Sequence, residues 1–261
     1  MGYITANIEY SNCLDKYKEK SFFRILDEIT AFIKSIKNEL GKKGFDESKL
    51  ELALYGISAG GQIILLYLFT DKNKILPIKF IVSAVGVASI DSDDWYTVAV
   101  PNVTLDNIEN LKDIENAINN GTLVQFGSEF PLKMTNLMTG KKLIQEELDK
   151  LIINGKVNKE DPKYQNMYKY AKYGSPIHLV GNCTIPILGL YCGNDGLFVQ
   201  FAHIRQAYID NGLGDKIKTE YMKYAGHERF HHGMEHDIKV MKEMHLKILE
   251  FAQTYFTSDK D

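Results

Sequence analysis

The chain has 261 residues, enough for one large α/β domain or two small ones. Hydrophobic residues make up 44% and charged residues 25%, and 31 Lys and Arg against 34 Asp and Glu give a net charge of −3. This composition excludes a chain that is disordered throughout, and the absence of a long single-sign charge block argues against a nucleic-acid partner. The longest mainly apolar stretch, 63–69, is too short to span a membrane.

The cysteines indicate a reducing environment. Cys13, Cys183 and Cys192 cannot all pair with one another, and they lack the CxxC spacing of a metal site. We therefore expect no disulfide framework and a cytoplasmic location. The first residues also lack the basic and apolar segments of a secretory signal.

The hydrophobic pattern alternates between the periods of strands and helices. It predicts strands at 3–10, 50–55, 79–88, 186–192 and 218–224, and helices at 21–40, 62–69, 200–211 and 238–255. Between about 91 and 180 the alternation breaks, and the pattern indicates helical stretches near 105–119, 141–153 and 161–173. The sequence therefore predicts an α/β fold with a mostly parallel sheet flanked by helices. Its core comprises 1–94 and 176–261, and 95–175 forms a helical cap insertion.

The sharpest local signal is Gly-Ile-Ser-Ala-Gly at 56–60, a G-x-S-x-G sequence between a predicted strand and a predicted helix. On such a tight, strained turn, a serine hydroxyl projects above the carboxyl edge of the sheet, and the flanking glycines leave room for the turn. Ser58 is therefore the predicted nucleophile. The N–H of Ala59 is the predicted oxyanion donor, assisted by the positive end of the following helix.

A serine nucleophile needs a base, and the base needs an orienting acid. Asp195 follows the predicted strand 186–192 and His227 follows the predicted strand 218–224, so both should lie at the same sheet edge as Ser58. The order Ser58, Asp195, His227 is the one expected of α/β hydrolases.

A second group of acids also follows a strand. Asp91, Asp93 and Asp94 come after the strand that ends near residue 88, so they are competitors for the acid role. We interpret them as part of a solvated loop that opens the insertion. Asp195 is the better candidate because it precedes His227 by one strand-helix-strand unit.

Residues 227–231, His-Glu-Arg-Phe-His, match the H-E-x-x-H pattern of zinc proteases. That chemistry requires both histidines on a stable helix and a third ligand downstream. Gly226 and Gly233 bracket the segment too closely for such a helix, and His236 is one position short of the longer metal-binding spacing. We therefore expect no metal and no other cofactor.

Several of these segments resemble the α/β-hydrolase esterases and lipases of the carboxylesterase type, most closely the hormone-sensitive-lipase-like and feruloyl-esterase-like group. The matching segments are 2–10, 56–61, 175–177, 186–195 and 226–227. The resemblance covers most of the chain outside 95–170. It implies the α/β-hydrolase fold, with Ser58 as nucleophile, Asp195 as acid and His227 as base.

One departure from the family concerns the oxyanion hole. In the family, preceding strands and a His-Gly-Gly loop supply its other N–H groups, but here the family-like sequence begins at residue 2 and contains no His-Gly-Gly. Either the chain starts late, or it is a shortened hydrolase with an incomplete oxyanion hole. Missing strands would also expose a sheet edge, at which we expect either pairing with another chain, such as a second copy in a homo-oligomer, or a destabilised fold.

The function expected from the sequence is hydrolysis of a small-molecule carboxylic ester through an acyl-enzyme, without nucleic acid or a membrane span. Two alternatives stay open. A peptidase can use the same fold and triad, because neither fixes the scissile bond. A degenerate, non-catalytic hydrolase is the other, because the His-Gly-Gly loop is missing.

Overall fold

A computed structural model gives the arrangement of the chain. The structure describes the following residues: 4–11, 22–70, 75–91, 97–101, 123–127, 146, 150, 152–153, 156–162, 165, 172–181, 183–192, 198–222 and 235–256.

A parallel four-stranded sheet is the centre of the described fold. Its strands are β1 (Leu52–Ile57), β2 (Ile78–Ala84), β7 (Ile187–Cys192) and β8 (Ile217–Met222), in the spatial order β1-β2-β7-β8. All three neighbouring pairs are parallel. The chain must therefore cross back over the sheet between successive strands, and every carboxyl end meets the same edge of the sheet.

Four α-helices accompany this sheet in the described part of the chain: α1 (Phe22–Lys42), α2 (Ala59–Phe69), α3 (Phe198–Asp210) and α4 (Glu235–Phe256). The first is amphipathic, because its buried residues Ile25, Leu26, Ile29 and Ile33 recur at helical spacing. It ends in a Schellman motif, in which the N–H of Gly44 donates to Gly41 O at 2.9 Å and that of Phe45 to Leu40 O at 3.1 Å. Gly44 has φ 87°, a conformation that favours glycine.

The second helix is apolar on all sides, and its residues from Gly61 to Leu68 are buried. A helix with this composition belongs inside a core and not on a surface. It contacts β1 and β2 on the sheet and α1 outside. The helix that follows Ser58 is thus fixed by hydrophobic packing along its length.

The predicted strand at 3–10 is wrong for its described residues. Residues 4–10 are mostly exposed and form no strand. A β-rich composition produces a strand only where a neighbouring strand supplies the hydrogen bonds, and none pairs with this segment in the described part of the chain. The other four predicted strands are confirmed, with β2 ending at Ala84 and not at residue 88.

The predicted helical cap is not wholly helical where it is described. Strands β3 (Thr97–Pro101) and β4 (Leu123–Gly127) pair antiparallel, as do β5 (Ile152–Ile153) and β6 (Lys156–Val157). Among these described strands, β3, β4 and β6 lie outside the predicted helical stretches, whereas β5 falls at the end of the stretch predicted at 141–153. No described helix is long and apolar enough to cross a membrane.

Candidate active site

Ser58 lies on the turn between β1 and α2, as the sequence predicts. Its backbone has φ 54° and ψ −118°, a region that residues with a side chain rarely occupy. The turn is held in place by two hydrogen bonds: the N–H of Ser58 donates to Ala84 O at 2.8 Å, and that of Gln62 donates to Ser58 O at 3.2 Å. A conformation of this kind costs about 1–3 kcal/mol and persists only where its surroundings impose it.

The two glycines of the G-x-S-x-G sequence are not equivalent. A Cβ at Gly56 would overlap the carbonyl group of Gly60 and lie 2.8 Å from Gly61 N, whereas a Cβ at Gly60 meets no described atom within 4 Å. The G-x-S-x-G pattern predicts the same steric role for both. Of the two, only Gly56 has a described neighbour that leaves no room for a Cβ.

A second close approach lies beneath the first turn of α2, where Gly61 faces Gly86. A Cβ at Gly61 would lie 2.7 Å from Gly86 Cα, and a Cβ at Gly86 would lie 2.9 Å from Gly61 C. The residue before Gly86, Val85, has φ 45°, which is unusual for a β-branched residue. Tyr191 secures this loop because its hydroxyl donates to Gly86 O at 2.7 Å. The loop after β2 therefore packs directly against the turn that carries Ser58.

Ala59 is the first residue of α2, and the first N–H groups of an α-helix have no acceptor within the helix. The first helical hydrogen bond described here begins at the N–H of Gln62. Ser58 and Ala59 are both partly exposed. This placement fits the predicted role of the Ala59 N–H as an oxyanion donor.

The predicted acid and base lie outside the described residues. Asp195 belongs to the segment 193–197 after β7, and His227 to the segment 223–234 after β8. The whole H-E-x-x-H sequence at 227–231 falls in the second of these segments. The roles of Asp195 and His227 therefore remain predictions. Within the described part of the chain, no group of three or more His, Cys, Asp or Glu residues could hold a metal ion.

Asp91 lies in a buried polar cluster after β2. Its Oδ1 accepts hydrogen bonds from Ser175 Oγ at 2.6 Å and from Ser89 Oγ at 2.8 Å, and its Oδ2 lies 2.6 Å from His178 Nε2. Ser175 Oγ in turn accepts from the N–H of Ile90 at 3.0 Å. The expectation of a solvated loop is therefore wrong for Asp91, which is 8% exposed. Asp93 and Asp94 lie outside the described residues.

The ionisation of Asp91 follows from these contacts. Burial raises the pKa of its carboxyl group, but hydrogen bonds from His178, Ser175 and Ser89 and the charge of His178 outweigh that effect and lower the pKa to about 2. The carboxylate therefore stays ionised at neutral pH. An ionised carboxylate only accepts hydrogen bonds, so His178 Nε2 is the donor in their contact.

His178 was not singled out from the sequence. It lies on a 3₁₀ turn at Pro176–Leu179, immediately after the insertion, and its side chain is 28% exposed. The Ser-Pro sequence at 175–176 marks this turn, but nothing local pairs its histidine with an aspartate 87 residues earlier. Only the fold brings the two together.

A separate cavity of about 430 Å³ lies where β8 begins, lined by Gly214–Lys218 and by residues 250, 251, 254 and 255. Parallel strands begin at the edge opposite to the one where they end, so this cavity and Ser58 are at opposite edges of the sheet. The cavity is therefore separate from the candidate active site.

No protein-family model and no curated protein sequence matches the chain. Solved structures of other proteins are similar to it. The chain is similar to esterase B from Lactobacillus Rhamnosis, with 12% identity, a TM-score of 0.53 and coverage of 92% of this chain and 64% of that one. It is also similar to a hyperthermophilic esterase from the archaeon Pyrobaculum calidifontis, with 14% identity, a TM-score of 0.51 and coverage of 89% and 62%.

The chain thus spans less than two thirds of the length of these two esterases. At such low identity, structural similarity establishes the fold and not the activity. The chain has the α/β-hydrolase fold.

Proposed function

We propose that the chain is a serine hydrolase that cleaves carboxylic esters. The observation that carries this proposal is the backbone of Ser58, with φ 54° and ψ −118° at a strand-to-helix turn. A strained serine at a strand-to-helix turn is the arrangement that the nucleophile of an α/β hydrolase requires, and this supports Ser58 as the proposed nucleophile. The esterases to which the chain is similar have the same fold.

In the proposed reaction, Ser58 Oγ attacks the ester carbonyl carbon while His227 takes the hydroxyl proton. The N–H of Ala59 donates a hydrogen bond to the oxyanion of the tetrahedral intermediate, and the intermediate collapses to an acyl-enzyme as His227 protonates the leaving alcohol. Water then hydrolyses the acyl-enzyme by the same route. Asp195 orients the imidazole throughout. Residues 95–175 form the proposed cap and shape the pocket for the acyl or alcohol group.

The partly exposed position of Ser58 supports access by a small substrate. The same scaffold could also cleave an amide, because the fold does not determine the scissile bond. A non-catalytic protein is the remaining alternative, since Ala59 is the only oxyanion donor that the sequence identifies.

The proposed location is cytoplasmic, and we propose that the β1 edge of the sheet contacts a second copy.

A fluorophosphonate probe tests the proposal directly because it phosphonylates an activated serine. We expect covalent labelling at Ser58 by peptide mass mapping, and no labelling of Ser58→Ala at equal protein concentration. Labelling elsewhere, or none at all in folded protein, contradicts the proposal and favours a non-catalytic protein.

A substrate panel then identifies the bond. We expect turnover of p-nitrophenyl acetate or butyrate and none of aminoacyl p-nitroanilides, whereas the reverse preference would indicate a peptidase. Turnover should also survive treatment with a chelator. Loss of activity with EDTA, restored by zinc, would instead support metal chemistry at 227–231.

A further inference from the structure

The cluster around Asp91 joins two segments that are far apart in sequence. Asp91 and Ile90 precede the insertion, Ser175 is its last residue and His178 follows it, yet four hydrogen bonds of 2.6–3.3 Å connect the two sides. The fourth is the bond from the N–H of Ile177 to Ala88 O. The two ends of the insertion are therefore fastened together at the carboxyl edge of the sheet.

A buried glutamine extends the cluster to α3. The Oε1 of Gln200 accepts from the N–H of Ala88 at 3.1 Å and from that of Ser89 at 2.8 Å. Gln200 is 1% exposed. The backbone of the loop 85–91 is thus bonded from two directions, by a helix on one side and by the 3₁₀ turn on the other.

The same loop contacts the turn that carries Ser58. Gly86 lies against Gly61 closely enough to exclude a Cβ on either residue, and Gln62 Nε2 donates to Gly174 O at 2.8 Å. Gln62 is also the residue whose N–H closes the turn on Ser58 O. The cluster therefore reaches the first turn of α2 at two points: Gly86, before the insertion, packs against Gly61, and Gly174, near the end of the insertion, accepts the hydrogen bond from Gln62.

We propose that Asp91, held by His178 and Ser175, is a positioning residue for Ser58: it fixes the loop 85–91 and Gly174 against the first turn of α2 and so orients the nucleophile. The inference rests on the proposed hydrolase function. A displacement of about 1 Å at a reacting group can lower a rate by about 100-fold, so loosening this support should be measurable in the chemical step.

Four variants test the proposal. Asp91→Asn removes the charge, and His178→Leu removes the donor. His178→Gln keeps a side-chain N–H that can reach the same carboxylate oxygen. Tyr208→Phe is the matched control, because it deletes a partly buried hydrogen bond to Ile185 O at 3.3 Å outside the cluster.

Two measurements are made at a temperature where every variant is folded. Hydrogen–deuterium exchange of peptides covering 85–91 and 175–180 reports the integrity of the cluster without any activity. The rate of phosphonylation of Ser58, with kcat and KM for p-nitrophenyl butyrate, reports the orientation of the nucleophile.

We expect Asp91→Asn and His178→Leu to exchange faster in both peptides. We also expect them to lower kcat and the phosphonylation rate by about 10- to 100-fold, with KM changed by less than about threefold. His178→Gln should stay within about threefold of wild type in every measurement, and Tyr208→Phe should lower only the melting temperature. If Asp91→Asn does not fold, His178→Leu alone decides, because its side chain is partly exposed.

Four results would overturn the inference. Faster exchange with unchanged phosphonylation and kcat would make the cluster a purely structural feature. Slow phosphonylation in His178→Gln with wild-type exchange would mean that the imidazole acts chemically and not by positioning. If the probe does not label the wild-type protein, the proposed function is rejected, and the positioning role is rejected with it. If the probe labels the wild-type protein and the variants have wild-type exchange and kinetics, only the positioning role is rejected.

Discussion

Two regions at the carboxyl edge of the sheet are rigid for opposite reasons. The turn at Ser58 is shaped by its backbone: a serine at φ 54°, a glycine at 56 with no room for a Cβ, and the contact of Gly61 with Gly86. The cluster at Asp91 is shaped by side chains, with one buried carboxylate and three donors. Substitutions that add atoms should therefore destabilise the turn, whereas substitutions that remove polar atoms should destabilise the cluster.

The largest expected effect comes from removing the one reactive atom of the turn. Ser58→Ala keeps the backbone but lacks the nucleophile, so we expect ester turnover to fall by more than about 1,000-fold. The melting temperature should change little. Activity above a few per cent of wild type in purified protein would remove Ser58 from the mechanism.

Adding one carbon to the turn tests its steric nature. Gly56→Ala forces a Cβ into the carbonyl group of Gly60, and we expect it to lower the free energy of unfolding by about 3 kcal/mol or more. Gly60→Ala is the matched control, since it meets no described atom within 4 Å and should change stability by less than about 1 kcal/mol. Equal losses in denaturant unfolding of the two variants would contradict the assignment of the steric role to Gly56.

The stability that the Asp91 cluster contributes should instead depend on pH. Because folding lowers the pKa of Asp91 from 3.8 to about 2, its contribution is complete above pH 4 and is lost as the pH falls toward 2. The shift corresponds to about 2 kcal/mol of unfolding free energy. Urea unfolding between pH 5 and 2 should therefore show a steeper loss for wild type than for Asp91→Asn, and parallel curves would argue against an ionised Asp91 in the folded state.

The smallest effect concerns the strain at the turn. Glycine occupies positive φ without the steric cost that alanine incurs, so Ser58→Gly should be more stable than Ser58→Ala by about 1 kcal/mol. Both variants lack the hydroxyl group, so the comparison isolates the backbone. Equal melting temperatures would indicate that the conformation of Ser58 carries little strain.

The difference between the two regions also explains which of them the sequence revealed. The G-x-S-x-G pattern is local, because the turn and its glycines lie within five residues, and Ser58 and Ala59 were placed correctly from it. Spacing alone does not show what a Cβ would contact, and among the described residues only the one at Gly56, not the one at Gly60, would overlap a neighbouring atom. Asp195 and His227 lie outside the described residues and stay predictions.

Composition and periodicity alone were sufficient for most of the architecture. The apolar runs at β2 and β7, the stripe on α1 and the strongly apolar α2 predicted buried parallel strands with helices around them. Each of these patterns lies within a single helix or strand. Burial of its apolar residues against a neighbouring element is enough to stabilise that helix or strand. The strand predicted at 3–10 had the right composition but no described partner, and so it was wrong.

The sequence by itself determined the alternation of strands and helices, the serine turn and the sheet edge at which the proposed chemistry takes place. The tertiary structure decided that Asp91 is buried and not solvated, that His178 and Ser175 are its partners, and that Gly61 lies against Gly86. These contacts join residues between 25 and 87 positions apart. No local pattern encodes such a pair, because only the packing of the completed fold brings its members within hydrogen-bonding or van der Waals distance.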